Sequence, residues 1–131
     1  MLLFKRVPVL IQFSTNKIKV TRLDTSMSME EEAKKPFSNT RIIIMDFMIA
    51  EKMLRMMIKA LIPPKFIFQT SYEAVIQQLE EKEGGVTEVE RRAFRDLAEH
   101  SGAIHVCFID KTKELTLDEA IEELAKSKLI S

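Results

Sequence analysis

Val86-Thr87-Glu88-Val89-Glu90-Arg91-Arg92-Ala93-Phe94-Arg95-Asp96-Leu97-Ala98-Glu99-His100-Ser101-Gly102-Ala103-Ile104-His105-Val106-Cys107-Phe108-Ile109-Asp110 is the run that decides the fold. Thr87 followed by Glu90 forms a capping box, so a helix starts here. Val89, Ala93, Phe94, Leu97 and Ala98 recur at helical spacing and make one apolar stripe. Gly102 supplies the stop. Ile104 to Ile109 is a short apolar run of strand length. A capped helix that feeds a buried strand is the repeating unit of a layered α/β fold.

The same logic extends outward. Thr116 with Glu119 is a second capping box, and Leu117, Ala120, Ile121, Leu124 and Ala125 line a final helix. Upstream, Val75, Ile76 and Leu79 share a helical face, so Tyr72 to Glu83 reads as a helix ended by Gly84 and Gly85. Lys65 to Thr70 reads as a strand. Asp46 is an N-cap for a helix carrying Phe47, Ala50, Met53, Leu54, Met57, Ile58 and Leu61. Met48, Ile49 and Met56 widen its apolar surface, and Pro63 and Pro64 end it. The three isoleucines of Arg41 to Met45 predict a buried strand. Residues 25–39 are polar, with Glu30, Glu31, Glu32, Lys34 and Lys35 together, and read as an exposed loop. Val9 to Ser14 and Lys17 to Asp24, separated by Thr15 and Asn16, predict a β-hairpin.

The elements form one α/β domain over residues 1–131. The expected sheet is mixed and five-stranded, with an antiparallel β1-β2-β3 meander followed by α-β-α-β-α. Its last three strands are expected to run parallel. Twenty basic and twenty acidic side chains cancel, so no long-range field draws the chain to nucleic acid. The single cysteine, Cys107, excludes an internal disulfide and predicts a reducing, cytoplasmic setting. No segment reaches the roughly 20 apolar residues of a membrane span. Leu2 to Arg6 is short for a membrane anchor, so membrane contact there is a minor expectation.

Two segments resemble the bacterial actin-like rod-shape-determining proteins, the MreB family. Ile44-Met45-Asp46-Phe47 with Ala50-Glu51-Lys52-Met53-Leu54-Arg55 is similar to the family's Asp-aromatic-x-x-Ala/Thr-Glu-x-Met-Leu-Arg helix. Gly85-Val86-Thr87-Glu88-Val89-Glu90-Arg91-Arg92-Ala93, with Ala98 and Gly102-Ala103, is similar to its Gly-Ile-Thr-x-Val-Glu-Arg-Arg-Ala…Ala-Gly-Ala segment. The resemblance implies a truncated first actin-like subdomain, of ribonuclease-H-like fold. It also implies an insertion at 72–85, because ten or so extra residues stand where the family turns directly from strand to helix.

The departures bear on function. The family's Asp-x-Gly-Thr phosphate loop corresponds here to Gln12-Phe13-Ser14-Thr15-Asn16, with an amide in place of the carboxylate and a serine in place of the glycine. Its Glu-Glu-Pro-Met run corresponds to Asp110-Lys111-Thr112-Lys113. The glycine-rich Asp-x-Gly-Gly-Gly-Thr loop has no counterpart, and three glycines in the whole chain leave no room for one. Phosphoryl transfer needs a phosphate cradle, a metal-holding carboxylate and a water positioner. The resemblance therefore implies a protein without ATPase chemistry and without a cofactor. Were a nucleotide to bind, Ser14, Thr15 and Asn16 would form its phosphate side.

Other constellations read as structural. His105 and Cys107 share a strand face with His100 nearby, a poor zinc pattern. Arg91, Arg92 and Arg95 interleave with acids, as on a salt-bridged helix surface. Glu80, Glu81 and Glu83 read as a solvated helix end. Met45, Met48, Met53, Met56 and Met57 make a soft apolar surface suited to a core or to a protein partner. The leading expectation is a non-catalytic interaction protein of cell-shape type. Its partner is a protein, a second copy or a cytoskeletal filament, met through Met48, Met56 and Arg92. The alternatives are a nucleotide-binding module completed by a partner chain, and an unrelated small α/β regulatory domain.

Overall fold

A computed structural model of the chain describes residues 6–38, 46–63, 71–81 and 85–130. The elements are β1 (Val7–Ser14), β2 (Lys17–Arg22), β3 (Ser28–Glu32), α1 (Phe47–Leu61), β4 (Tyr72–Gln78), α2 (Glu88–His100), β5 (Ala103–Ile109) and α3 (Leu117–Ile130). They build one five-stranded sheet in the order β3-β2-β1-β4-β5. β1, β2 and β3 form an antiparallel meander, and β4 lies parallel to both β1 and β5. β1, β3, β4 and β5 consequently point the same way and β2 runs against them.

Two elements differ from the sequence reading. Within the predicted helix at 72–83, Tyr72–Gln78 form instead the inner strand β4, flanked by β1 and β5 and buried along all seven residues. Helix formers such as Glu73, Ala74 and Gln77 stand in it, but a strand covered on both faces overrides local propensity. Tyr72–Gln78, inside the segment read as an insertion, 72–85, thus form an inner strand of the sheet between β1 and β5. The meander's third strand is β3, inside the span read as a loop. Its acidic residues face basic ones across the ladder, Lys17 opposite Glu32 and Lys19 opposite Glu30. Lys17 Nζ lies 3.5 Å from a Glu30 carboxylate oxygen. The strands expected at Arg41–Met45 and Lys65–Thr70 lie outside the described residues.

The sheet divides two apolar clusters. Val9, Ile11, Phe13, Ile18, Val20, Ala74 and Ile76 meet α1 through Leu54, Met57 and Ile58, and α2 through Phe94, Leu97 and Ala98. On the other face Leu10, Val75 and Ile109 meet α3 through Ala120 and Leu124. The helix starts follow the predicted caps. Asp46 accepts from the Ile49 amide at 3.2 Å, and Thr87 and Glu90 bond reciprocally as a capping box. Thr116 and Glu119 do the same at α3, and the Thr116 bonds hold the Glu119 carboxyl below its ordinary range.

Gly102 closes α2 with φ +113, a conformation that side chains rarely adopt. Tyr72, at the start of β4, is fully buried beside it, and its hydroxyl donates to the Ala98 carbonyl at 3.1 Å. Burial pushes the phenol well above its usual range. The sign follows: the unfolded chain loses the proton near pH 10 and the folded chain holds it, so stability falls as pH rises above about 10. Tyr72 is the chain's one tyrosine. Tyrosinate absorbance near 295 nm is therefore expected to emerge only together with loss of helical circular dichroism. Ionisation at about pH 10 with the fold intact would contradict the burial.

Candidate functional site at the carboxyl ends of the parallel strands

In open α/β sheets ligands bind in the crevice beyond the carboxyl ends of the strands. Here that end brings together the β1–β2 turn, the segment after β4 and the segment after β5. The turn is Thr15-Asn16. Asn16 sits at φ +56, a left-handed conformation that asparagine tolerates. Its side-chain oxygen accepts from the amides of Phe37 at 2.9 Å and Ser38 at 2.7 Å. Its own amide donates to Ser38 Oγ at 3.0 Å, and its carbonyl accepts from Ala33 at 2.8 Å. Asn16 is thereby committed to holding residues 33–38 against the sheet.

Thr15 is committed as well. Its amide donates to Glu80 Oε2 at 2.7 Å and its hydroxyl donates to Glu80 Oε1 at 2.5 Å. One carboxylate takes both donors, in the manner of a bound anion. The Glu80 amide in turn donates to the side-chain oxygen of Gln78. Leu79 donates to the Phe13 carbonyl at 2.9 Å, extending the β1–β4 pairing to the turn. Glu80 is thus no part of a solvated helix end, as its acidic neighbours suggest; it occupies the hairpin turn.

Behind this turn lies a buried amide pair. Gln12 Nε2 donates to Gln77 Oε1 at 3.1 Å, and the Leu115 amide donates to the same oxygen at 3.2 Å. Gln77 Nε2 donates to the carbonyls of Lys111 at 2.9 Å and Lys113 at 2.5 Å. All four bonding positions of the Gln77 amide are used, at zero exposure. The Asp110–Lys113 segment is consequently tied to β4, and Arg91 pairs with Asp110 at 2.8 Å. A shallow cavity of about 460 Å³ remains beside it, lined by Gln78, Glu80, Asp110, Lys111 and Lys113 among others.

The predicted site residues fall in two places. Ser14, Thr15 and Asn16 meet at the turn just described. Met48 and Met56 lie on one outward stripe of α1, 78% and 63% exposed, with Lys52 between them exposed as well. Arg92 is exposed on α2 and makes no ion pair among the described residues. α1 and α2 are neighbours: His100 Nδ1 lies 3.3 Å from Glu51, and the His100 ring packs edge-on to Phe47. His105 and Cys107 reach the opposite face, where His105 meets Ser127 Oγ at 2.9 Å and Cys107 meets the Glu123 carbonyl. His100 is therefore separated from them by the sheet. Burial pushes the Cys107 thiol up, which makes it a poor nucleophile. Among the described residues no group of three or more His, Cys, Asp or Glu side chains is placed to hold a metal, and no helix is long and apolar enough to cross a membrane. Leu2 to Lys5 lie outside the described residues.

No family model matches the chain. It is 32% identical over 91 residues to the uncharacterized protein YjaA of Escherichia coli K12, across 66% of this chain and 70% of YjaA. The chain belongs to the YjaA family. Solved structures share its fold. MreB5 of Spiroplasma citri, in a crystal structure bound to ADP, superposes with a TM-score of 0.58 at 14% identity, over 81% of this chain and 38% of MreB5. The ethanolamine utilization protein EutJ of Carboxydothermus hydrogenoformans superposes with a TM-score of 0.50 at 12% identity, over 78% of this chain and 36% of EutJ. The YjaA-family chain thus spans little more than a third of either structure. At these identities the likeness is one of fold, that of an actin-like, ribonuclease-H-like subdomain.

Sequence reading missed Glu80 and Gln77. A signal existed for Gln12, an amide inside an otherwise apolar strand. Glu80 carried none, because its partner Thr15 is 65 residues away in the chain. Replacing Gln77 by leucine would leave the buried Gln12 and Leu115 donors and the part-buried Lys111 and Lys113 carbonyls without their partner. A loss of about 2 to 3 kcal/mol in urea unfolding is expected, from the desolvation of groups left without partners. A change under about 0.5 kcal/mol, the range of an ordinary surface substitution, would show that the amide cluster is dispensable.

Proposed function

We propose that this YjaA-family chain is a non-catalytic, cytoplasmic interaction protein related to the bacterial actin-like cell-shape proteins. α1 and α2 present the contact surface to a protein partner, a second copy of the chain or a cytoskeletal filament. Met48 and Met56 supply adaptable apolar contact, and Arg92 supplies a charged anchor of the kind that dominates interfaces.

One observation carries the non-catalytic half of this reading: Glu80 already takes the amide and hydroxyl of Thr15. A phosphate at the turn would have to expel that carboxylate and then stay near it. Two like charges about 4 Å apart repel by roughly 4 kcal/mol at an effective dielectric constant of about 20. Asn16 offers nothing in exchange, since its amide and side-chain oxygen are spent on residues 37 and 38. The exposed methionines support the interaction half. Large apolar side chains with charged neighbours, left in solvent on a helix, mark contact surfaces when they cluster.

Calorimetric titration with magnesium-ATP tests the first half, with no saturable heat expected up to about 1 mM, the weak end of measurable affinity. Micromolar binding would instead favour a nucleotide-binding module completed by another chain. For the second half, alanine at Met48, Met56 and Arg92 together is expected to weaken capture of the partner by at least about tenfold with melting temperature preserved. Capture undiminished by the triple substitution would remove this surface from the function.

A further inference from the structure

The two edges of the sheet are built differently. β3, at one edge, carries Glu30, Glu31 and Glu32, charges of the kind that keep an edge strand from pairing with another chain. β5, at the other edge, reads Ala-Ile-His-Val-Cys-Phe-Ile and has no charged residue and no proline. α2 and α3 cover its two faces, yet Ile104 to Phe108 all retain solvent exposure, 50% at Ile104. Among the described residues no strand pairs with its outer side.

We propose that a second copy of this chain pairs antiparallel along β5, joining two five-stranded sheets into one of ten strands. An uncharged strand sets no like charges against its own copy, whereas β3 against β3 would oppose glutamates to glutamates. A twofold axis between the strands closes the contact at a dimer. α3 supports this arrangement. It runs back along β5, with Ser127 over His105 and Glu123 over Cys107. The same axis sets the two α3 helices antiparallel on one face. The acidic first half of each, Glu119 and Glu122, then approaches the second half of the other, where Lys126 lies. Zero net charge leaves no long-range repulsion between copies. This contact is independent of the α1 surface proposed for the partner.

Sedimentation equilibrium of the full chain, from about 1 to about 200 μM, covers the range in which a modest dimer dissociates. A monomer–dimer equilibrium is expected. Ile104→Lys, which places a charge on the edge, is expected to raise its dissociation constant at least about tenfold. Met48→Lys is expected to leave it unchanged. Hydrogen exchange on the unmodified protein provides a check that needs no variant: amides of β5 should gain protection as concentration rises, and those of β3 should not. A monomer throughout the range, a dimer broken by Met48→Lys but not by Ile104→Lys, or protection of β3 in place of β5 would overturn the proposal.

Discussion

The structure depends on an inner strand that is buried on both faces while carrying polar side chains. β4 places Tyr72, Glu73, Gln77 and Gln78 inside the protein. A buried polar group without a partner costs several kcal/mol, so each must be met by something. What meets them organises the rest of the chain. Tyr72 bonds the end of α2. Glu73 pairs with Lys128 of α3 at 3.0 Å. Gln77 gathers β1 and the segment before α3. Gln78 holds the backbone that aims Glu80 at the hairpin turn. One strand thus orients the helices on both faces and fixes the end of the sheet where a ligand site would form.

The same arrangement explains why an actin-like subdomain can exist here with a filled turn. A turn that presents an amide and a hydroxyl to one point is an anion site by geometry. Supplying that anion from within the chain satisfies the donors and stiffens the hairpin. It also introduces a fixed negative charge where a phosphate would come. The fold can then serve as a scaffold for contacts on its helices and edges, and the site and the fold are separable properties.

Much of this was legible in the sequence because it is local. The Asp46, Thr87 and Thr116 caps, the Thr15-Asn16 turn and the β5 strand each rest on residues within a few positions of one another, and all are found where the sequence places them. Legibility failed where distant partners decide. Tyr-Glu-Ala-Val-Ile-Gln-Gln carries helix-forming residues and becomes a strand because β1 and β5 flank it and α2 and α3 cover its two faces. Ser-Met-Glu-Glu-Glu looks like solvated loop and becomes an edge strand because Lys17 and Lys19 stand opposite. Glu80 belongs to the turn through a contact that no spacing rule reaches. Of the candidate site, the turn residues were readable from a family resemblance, and what fills the turn was readable only in three dimensions.

Whether Glu80 fills the hairpin turn in solution is read from amide resonances of the intact protein. During titration with magnesium-ADP the amides of Ser14, Thr15 and Asn16 are expected to stay in place, while Glu80→Gln is expected to move the Thr15 amide strongly because its ionised acceptor is gone. Saturable displacement of those three resonances by the nucleotide, with Thr15 indifferent to the Glu80 substitution, would mean that the turn is open to phosphate and that Glu80 does not fill it.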